Sequence, residues 1–184
     1  MSYVVLVRHA LPVIEPDKPS ETWGLSEDGR AATVRLAQEL KALAPAAVLC
    51  GTEPKMTGTA AVLSEQFGIS VERLAGLCEH ARRSTKFAEK DAFEVAIRNL
   101  FERPGEIVYG EESADQTYAR FSAALDGELC AHKGKTVIAV SGGTAICLFL
   151  ARRSGIDPFP MWKRLRMPMA FVLKPADWTI EREI

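Results

Sequence analysis

The sequence has no excess charge of either sign. Lys and Arg number 23 against 24 Asp and Glu, for a net charge of −1. That balance argues against a surface built for nucleic acid or an anionic membrane. Cysteine is sparse: Cys50, Cys78, Cys130 and Cys147 stand apart with no Cys-x-x-Cys pair. Three of them lie in or beside apolar stretches, so they read as reduced core residues and not as a disulfide frame or a zinc site. No apolar run reaches the length of a membrane span. The chain also enters its first strand without a basic start and a separate apolar stretch, so the cytoplasm is the expected compartment. Repeats, low-complexity tracts and linkers are missing too. With 184 residues, 47% of them hydrophobic and 26% charged, one domain over residues 1–184 with a sizeable core is expected.

What is present begins at residue 3. Tyr3-Val4-Val5-Leu6-Val7 is an unbroken apolar run, followed at once by Arg8 and His9. Such a run suits a strand buried on both faces, as in a parallel sheet. Ligands of those sheets bind at the carboxyl ends of the strands. Arg8 and His9 are therefore delivered to the end where chemistry is done. Arg offers a fixed fork of donors for phosphate or carboxylate. His is a nucleophile or general base near neutral pH.

Residues 10–25 hold three prolines and Gly24 and read as a long loop passing over that end. Ser26 caps a helix with Glu27 and Asp28 in its first turn, and Ala32, Leu36, Leu40 and Leu43 form its apolar stripe. Further strands are expected at 46–50, 69–74, 136–140, 170–173 and 178–184. Helices are expected at 55–67, 91–102, 113–132 and 145–153, with Gly68 and Pro104 as stop signals and a loop at 158–162. Strands alternating with helices predict a three-layer α/β/α sandwich around a mainly parallel central sheet.

Leu6-Val7-Arg8-His9-Ala10 resembles the signature of the histidine phosphatase superfamily, the phosphoglycerate-mutase-like proteins. The resemblance extends over nearly the whole chain and implies the same sandwich. In that family the His after the strand takes the phosphoryl group covalently and the adjacent Arg holds the phosphate oxygens. Gly24 to Arg30 is similar to the family's Leu-Thr-x-x-Gly segment. From Cys50 to Ala60 the family has a turn, an Arg and then Thr-Ala. Here Thr59-Ala60 fits, and the Arg position falls on Lys55, which keeps the charge at a helix start but not the bidentate fork. Leu77-Cys78-Glu79-His80 matches the segment whose Glu protonates the leaving oxygen, so Glu79 is the implied acid, with a pKa raised by a closed pocket. His80 either stands near the site or is simply exposed.

The departure lies in Val137 to Thr144. The family's second catalytic His falls at Gly142. Read without the resemblance, Gly142-Gly143 is a tight strand-to-helix turn. With it, Gly142 leaves a gap, and the amides around Gly143 remain to bind an anion. Losing one preorganised donor costs about 10²–10³ in rate, so Gly142→His is expected to raise activity by at least about tenfold. Gly110-Glu111-Glu112-Ser113 and Arg120 also resemble a Gly-Glu-Ser motif and a helical Arg of relatives.

Two functions are implied. One is phosphomonoester hydrolysis through phosphohistidine at His9, weak or specialised. Arg8 and Lys55 would clamp the phosphoryl group and Glu79 would act as acid, with no metal or cofactor required. A mutase is disfavoured, because it needs a larger lid. The other is a non-catalytic protein that holds phosphate or a phosphorylated ligand on the same fold. Either way the expected partner is inorganic phosphate or a small phosphorylated molecule, not nucleic acid or membrane.

Overall fold

Val4–Arg8 forms strand β1. In this computed structural model, which describes residues 2–184, it runs through the interior of a six-stranded sheet. On one side it pairs in parallel with Thr136–Ser141 and on the other antiparallel with Met169–Leu173. The remaining strands are β2 (Pro45–Cys50), β3 (Val71–Arg73) and β6 (Ile180–Glu183). Thr136–Ser141 is β4 and Met169–Leu173 is β5, and the sheet order is β3-β2-β4-β1-β5-β6. The first four strands are mutually parallel and the last two pair antiparallel. The expected, mainly parallel sheet is present.

Both faces of β1 are buried, which is why its sequence is apolar without alternation. Val4 and Leu6 pack on one side with Phe121, Leu125 and Phe149. Those residues come from α4 (Ala114–Ala131) and α5 (Gly143–Ser154). Val5 and Val7 pack on the other side with Leu36, Leu40, Met56 and Leu63. These come from α1 (Glu27–Leu40) and α2 (Pro54–Phe67). The remaining helices, α3 (Lys90–Glu102) and α6 (Pro158–Lys163), add an apolar cluster around Ile97, Leu100, Leu148 and Trp162.

The helix ends follow local chemistry. Ser26 accepts from the Gly29 amide at 3.0 Å, and Ser113 and Gln116 form a reciprocal capping box. Gly68 ends α2 in the left-handed conformation, at φ 69°. Two expectations need correction. Residues 158–163 are helical and not a loop, because Asp157 caps the Phe159 amide and Pro158 occupies the first helical position, where proline fits. The closing strand starts at Ile180 and not at Trp178, because Trp178 has φ 60°. All four cysteines are free. Among the described residues no helix is long and apolar enough to cross a membrane.

Candidate active site

The end of β1 and the start of α5 lie side by side because β1 and β4 are neighbours, with Arg8 opposite Ser141. The His9 amide extends this pairing by donating to the Ser141 carbonyl at 2.9 Å. Ser141 Oγ in turn donates to the Leu77 carbonyl at 2.6 Å, which draws residues 77–80 over the end of β4. A cleft of about 210 Å³ opens here, and Arg8, His9, Lys55, Glu79, Arg82 and Thr144 share its wall.

His9 is 6% exposed, and its Nδ1 lies 2.9 Å from the Ala10 carbonyl. A carbonyl only accepts, so Nδ1 carries the proton and Nε2 keeps its lone pair. The turn that presents the ring is fixed from α2. The Ala10 amide donates to Thr59 Oγ1 at 3.0 Å, and Thr59 Oγ1 donates to the Lys55 carbonyl at 2.8 Å. Burial holds the imidazole well below its ordinary pKa of 6.5, helped by the Lys55 and Arg8 charges, against the opposing pull of the Ala10 carbonyl and Glu79. His9 is therefore a neutral ring with one fixed tautomer.

Arg8 donates through Nη1 to the Leu165 carbonyl at 2.8 Å, while its Nε is buried with no acceptor. Orphaned buried donors are rare in folded proteins and mark places where an acceptor arrives. Lys55 is also buried. Its Nζ donates to the Ser20 carbonyl and pairs with Glu53 Oε2 at 2.7 Å, leaving one proton of three. The other oxygen of Glu53 accepts from the Glu79 amide at 2.8 Å. Glu53 thus ties Lys55 to the Glu79 segment, a role that no sequence motif announced.

Glu79 departs from expectation. Its Oε1 accepts from the His80 and Ala145 amides at 2.8 and 2.9 Å, and its Oε2 from the Thr144 amide at 3.0 Å. Burial alone would raise its pKa. The Arg82 guanidinium, 3.6 Å away, and these three amides outweigh it and hold the carboxyl below the usual range. The raised pKa expected of an acid is therefore absent, and the carboxylate itself supplies the anion at the start of α5. It also fills the space at Gly142. A Cβ built there would stand 2.5 Å from the Glu79 carboxyl carbon. The expected gap is occupied. At Gly143 a Cβ would stand 3.1 Å from Arg8 Nε, so glycine lets the arginine lie against the helix start.

Arg82 was missing from the expected set. Its Nη1 approaches Thr144 Oγ1 at 3.5 Å, and its guanidinium lies over the Phe93 ring at 5.1 Å. Arg82 sits in a basic stretch without periodicity, so the one available signal was its place three residues after Glu79. Its loop is held from the Gly110–Ser113 stretch: the Ala81 and Arg83 amides donate to Glu112 and Glu111 at 2.8 Å each. Arg120 does not face the cleft. Its guanidinium is used by the carbonyls of Gly76, Cys78 and Glu79 and by Glu112, so it braces the Glu79 segment. His80 lies outside this cleft and lines the adjacent cavity. Its Nε2 is 2.8 Å from the Glu112 carbonyl, and its ring stacks on Tyr109.

Among the described residues, one group has metal-ligand spacing: Glu72, Glu128 and His132, whose ligand atoms lie within 4.8 Å of one another. His132 Nε2 is 3.5 Å from Glu72 there, an ion-pair distance that needs no ion.

The neutral histidines have a consequence for stability. Burial also lowers the pKa of His80, against the opposing Glu112 carbonyl. Unfolded, both rings take a proton as pH falls below 6.5, and folded they do so only at lower pH. Their stabilisation is complete above pH 6.5 and is lost as pH falls towards the folded values. Glu79, lowered from 4.5, adds its own loss only below that pH. Urea unfolding at pH values from 6.5 to 4.5 should show falling stability, by up to about 1.4 kcal/mol per pH unit for each histidine. His80→Gln should flatten that fall. A flat profile in the parent would show that neither ring is held neutral.

A β1 end carrying Arg8 and His9, a lysine at the start of α2 and a carboxylate at the start of α5 define a class. The chain belongs to the histidine phosphatase superfamily, branch 1, whose family model matches residues 4–174. No curated protein matches it significantly. Solved structures share the fold at low identity. YhfR from Bacillus stearothermophilus is 18% identical with a TM-score of 0.77, over 98% of this chain and 96% of that one. A mycobacterial glucosyl-3-phosphoglycerate phosphatase in complex with inorganic phosphate is 22% identical with a TM-score of 0.74, over 95% and 90%. A mutant phosphoserine phosphatase from Entamoeba histolytica in complex with phosphoserine is 16% identical with a TM-score of 0.73, over 100% and 96%.

Proposed function

We propose that the chain hydrolyses a small phosphomonoester through a phosphohistidine at His9. The observation that carries this reading is the state of His9: buried and neutral, with Nδ1–H on the Ala10 carbonyl and Nε2 free. The unpartnered Arg8 Nε and the remaining Lys55 proton supply donors for the phosphoryl oxygens. Nε2 attacks phosphorus, the N–P bond forms and the P–O bond to the alcohol breaks. Water then attacks phosphorus, the N–P bond breaks, and inorganic phosphate leaves with His9 restored.

On this reading the family's second histidine falls at Gly142. Its space is taken by the Glu79 carboxyl and its charge by Arg82, which joins Arg8 and Lys55 at the floor of the cleft. Glu79 becomes an acid only with substrate bound. A phosphoryl dianion draws Arg82 towards itself and opposes the carboxylate's charge, and both effects raise the Glu79 pKa. Glu79 then takes a proton from solvent, gives it to the leaving oxygen, and as carboxylate accepts a proton from the attacking water. Because the resting carboxylate repels the incoming dianion, turnover is slow or restricted to substrates with added binding energy.

A second reading rests on the same carboxylate. The Thr144 and Ala145 amides hold Glu79 as a carboxylate with no proton for a leaving oxygen, which suits a protein that holds a phosphorylated ligand through Arg8 and Lys55 without turning it over.

Incubation with a generic aryl phosphate, quenched in alkali, separates the two. Hydrolysis predicts released phenol and a phosphoprotein that survives alkali and is lost in acid, mapped to the His9 peptide. Phosphate binding with neither product supports the second reading and rejects the first.

A further inference from the structure

The catalytic end occupies only the floor of the cleft. Its upper walls are aromatic, and two of the rings, Trp23 and Phe93, are held in place. The Trp23 indole N–H donates to the Glu15 and Lys18 carbonyls at 3.0 and 3.2 Å, which pins the ring in the 10–25 loop. Phe93 is held by Tyr109 and Trp162, with centroids 6.1 and 5.4 Å away. Phe87 faces Trp23 at 6.3 Å. These rings meet the cations of the floor directly. Lys55 Nζ lies 6.0 Å from the Trp23 centroid, and the Arg82 guanidinium lies 5.1 Å from that of Phe93. A phosphoryl group held by Lys55 and Arg82 therefore places whatever it is bonded to between Trp23 and Phe93.

We infer that the alcohol half of the substrate is apolar and carries a ring, seated between Trp23, Phe87 and Phe93. This rests on the phosphatase reading above and names its substrate class. Ile14 and Phe87, both on the cleft wall, are 54% and 51% exposed, so apolar surface stands open where the ligand would enter. Acceptors for the hydroxyls of a sugar or the ammonium of an amino acid are few: beside Glu79 the wall offers the hydroxyls of Ser20, Thr85, Tyr109 and Thr144, of which Thr85 already donates to the Arg82 carbonyl, and Lys86 is a cation next to Phe87. The lining holds no Asp, Asn or Gln, and its single carboxylate, Glu79, is spent on α5. Lys18 at the mouth is already paired with Glu15 at 2.6 Å. The volume, about 210 Å³, lies below the range of roughly 300–1,000 Å³ for drug-sized ligands, which limits the occupant to one or two rings.

The main comparison is between two esters whose alcohols are of like acidity, so that leaving-group chemistry does not decide it. The kcat/KM for phenylpropyl phosphate should exceed that for propyl phosphate by at least about tenfold, the worth of burying one ring, and should also exceed that for phosphoserine and phosphoglycerate. A second arm needs no turnover. Titration calorimetry on the His9→Ala protein should show phenylpropylphosphonate binding at least about tenfold tighter than propylphosphonate. Phe87→Ser changes a half-exposed ring and should shrink both ratios several-fold on protein shown by circular dichroism to be folded. Equal affinity for the two phosphonates, or preference for phosphoserine or phosphoglycerate, overturns the inference and leaves the phosphatase reading standing. Failure of both phosphonates to bind, with no turnover, overturns both.

Discussion

Replacing His9 with alanine should remove turnover of an aryl phosphate, by about 10⁴-fold or more, while inorganic phosphate remains bound. The magnitude follows from what is lost. A nucleophile that splits one displacement into two has no substitute when it is deleted, and comparable deletions elsewhere cost on the order of 10⁶. No second histidine stands ready. His80 lies outside the cleft with Nε2 on the Glu112 carbonyl, and His132 ends α4 beside Glu72. Binding survives because the phosphate donors belong to other side chains. Arg8 is oriented by the Leu165 carbonyl and Lys55 by Glu53 and Ser20, none of which touches the imidazole. Removing a buried, neutral ring leaves a void, so the variant also loses about 2–4 kcal/mol of stability and is compared with the parent well below its unfolding temperature. Initial rates and phosphate titration on the same folded sample decide the matter. Residual turnover within about tenfold of the parent would remove His9 from the nucleophile's role.

How much of this could be read from residues alone depends on whether the cause was local. β1 was legible because burial on both faces forces an unbroken apolar run, and the run stops where Arg8 and His9 begin. The caps at Ser26 and Ser113 were legible for the same reason, since a side chain and an amide three residues on make the whole interaction. Residues 158–162 read as a loop, although Asp157 followed by Pro158 is a helix start signal. The site was legible in its residues and not in its states. Glu79 could be named as a carboxylate near the phosphoryl group. Its pKa is set by amides of His80, Thr144 and Ala145 and by Arg82, which converge only after β4 and the 77–80 segment meet. Glu53 and Arg120 act by bracing other residues, and a brace leaves no spacing to read.

At Gly142 the space expected to stand open is filled by the Glu79 side chain. Gly142→His should lower activity by at least about tenfold and lower stability by roughly 1–3 kcal/mol, the usual range for forcing atoms into a filled site. The obstacle is not the backbone, since Gly142 has φ −89° and ψ 159°, open to any residue. It is space. A Cβ at 142 would lie 2.5 Å from Glu79 Cδ and Oε2 and 2.7 Å from Glu79 Cβ. The carboxyl tip could swing away, at the loss of three amide hydrogen bonds to a charged group. Its Cβ cannot, because the Glu79 segment is held by Glu53 at its amide and by Arg120 at its carbonyl. Displacing the segment then strips Arg82 of its partner and disturbs Lys55 through Glu53. Truncating Glu79 should relieve the clash. In Gly142→His with Glu79→Ala, the double variant should be more stable than the sum of the two single effects predicts, by at least about 0.5 kcal/mol, the threshold for coupled neighbours. Urea unfolding of the four proteins closes the cycle, and aryl phosphate turnover is read on each folded sample. A folded Gly142→His protein that works faster than the parent would show that the Glu79 carboxyl gives way freely and that a histidine at 142 is what the site lacks.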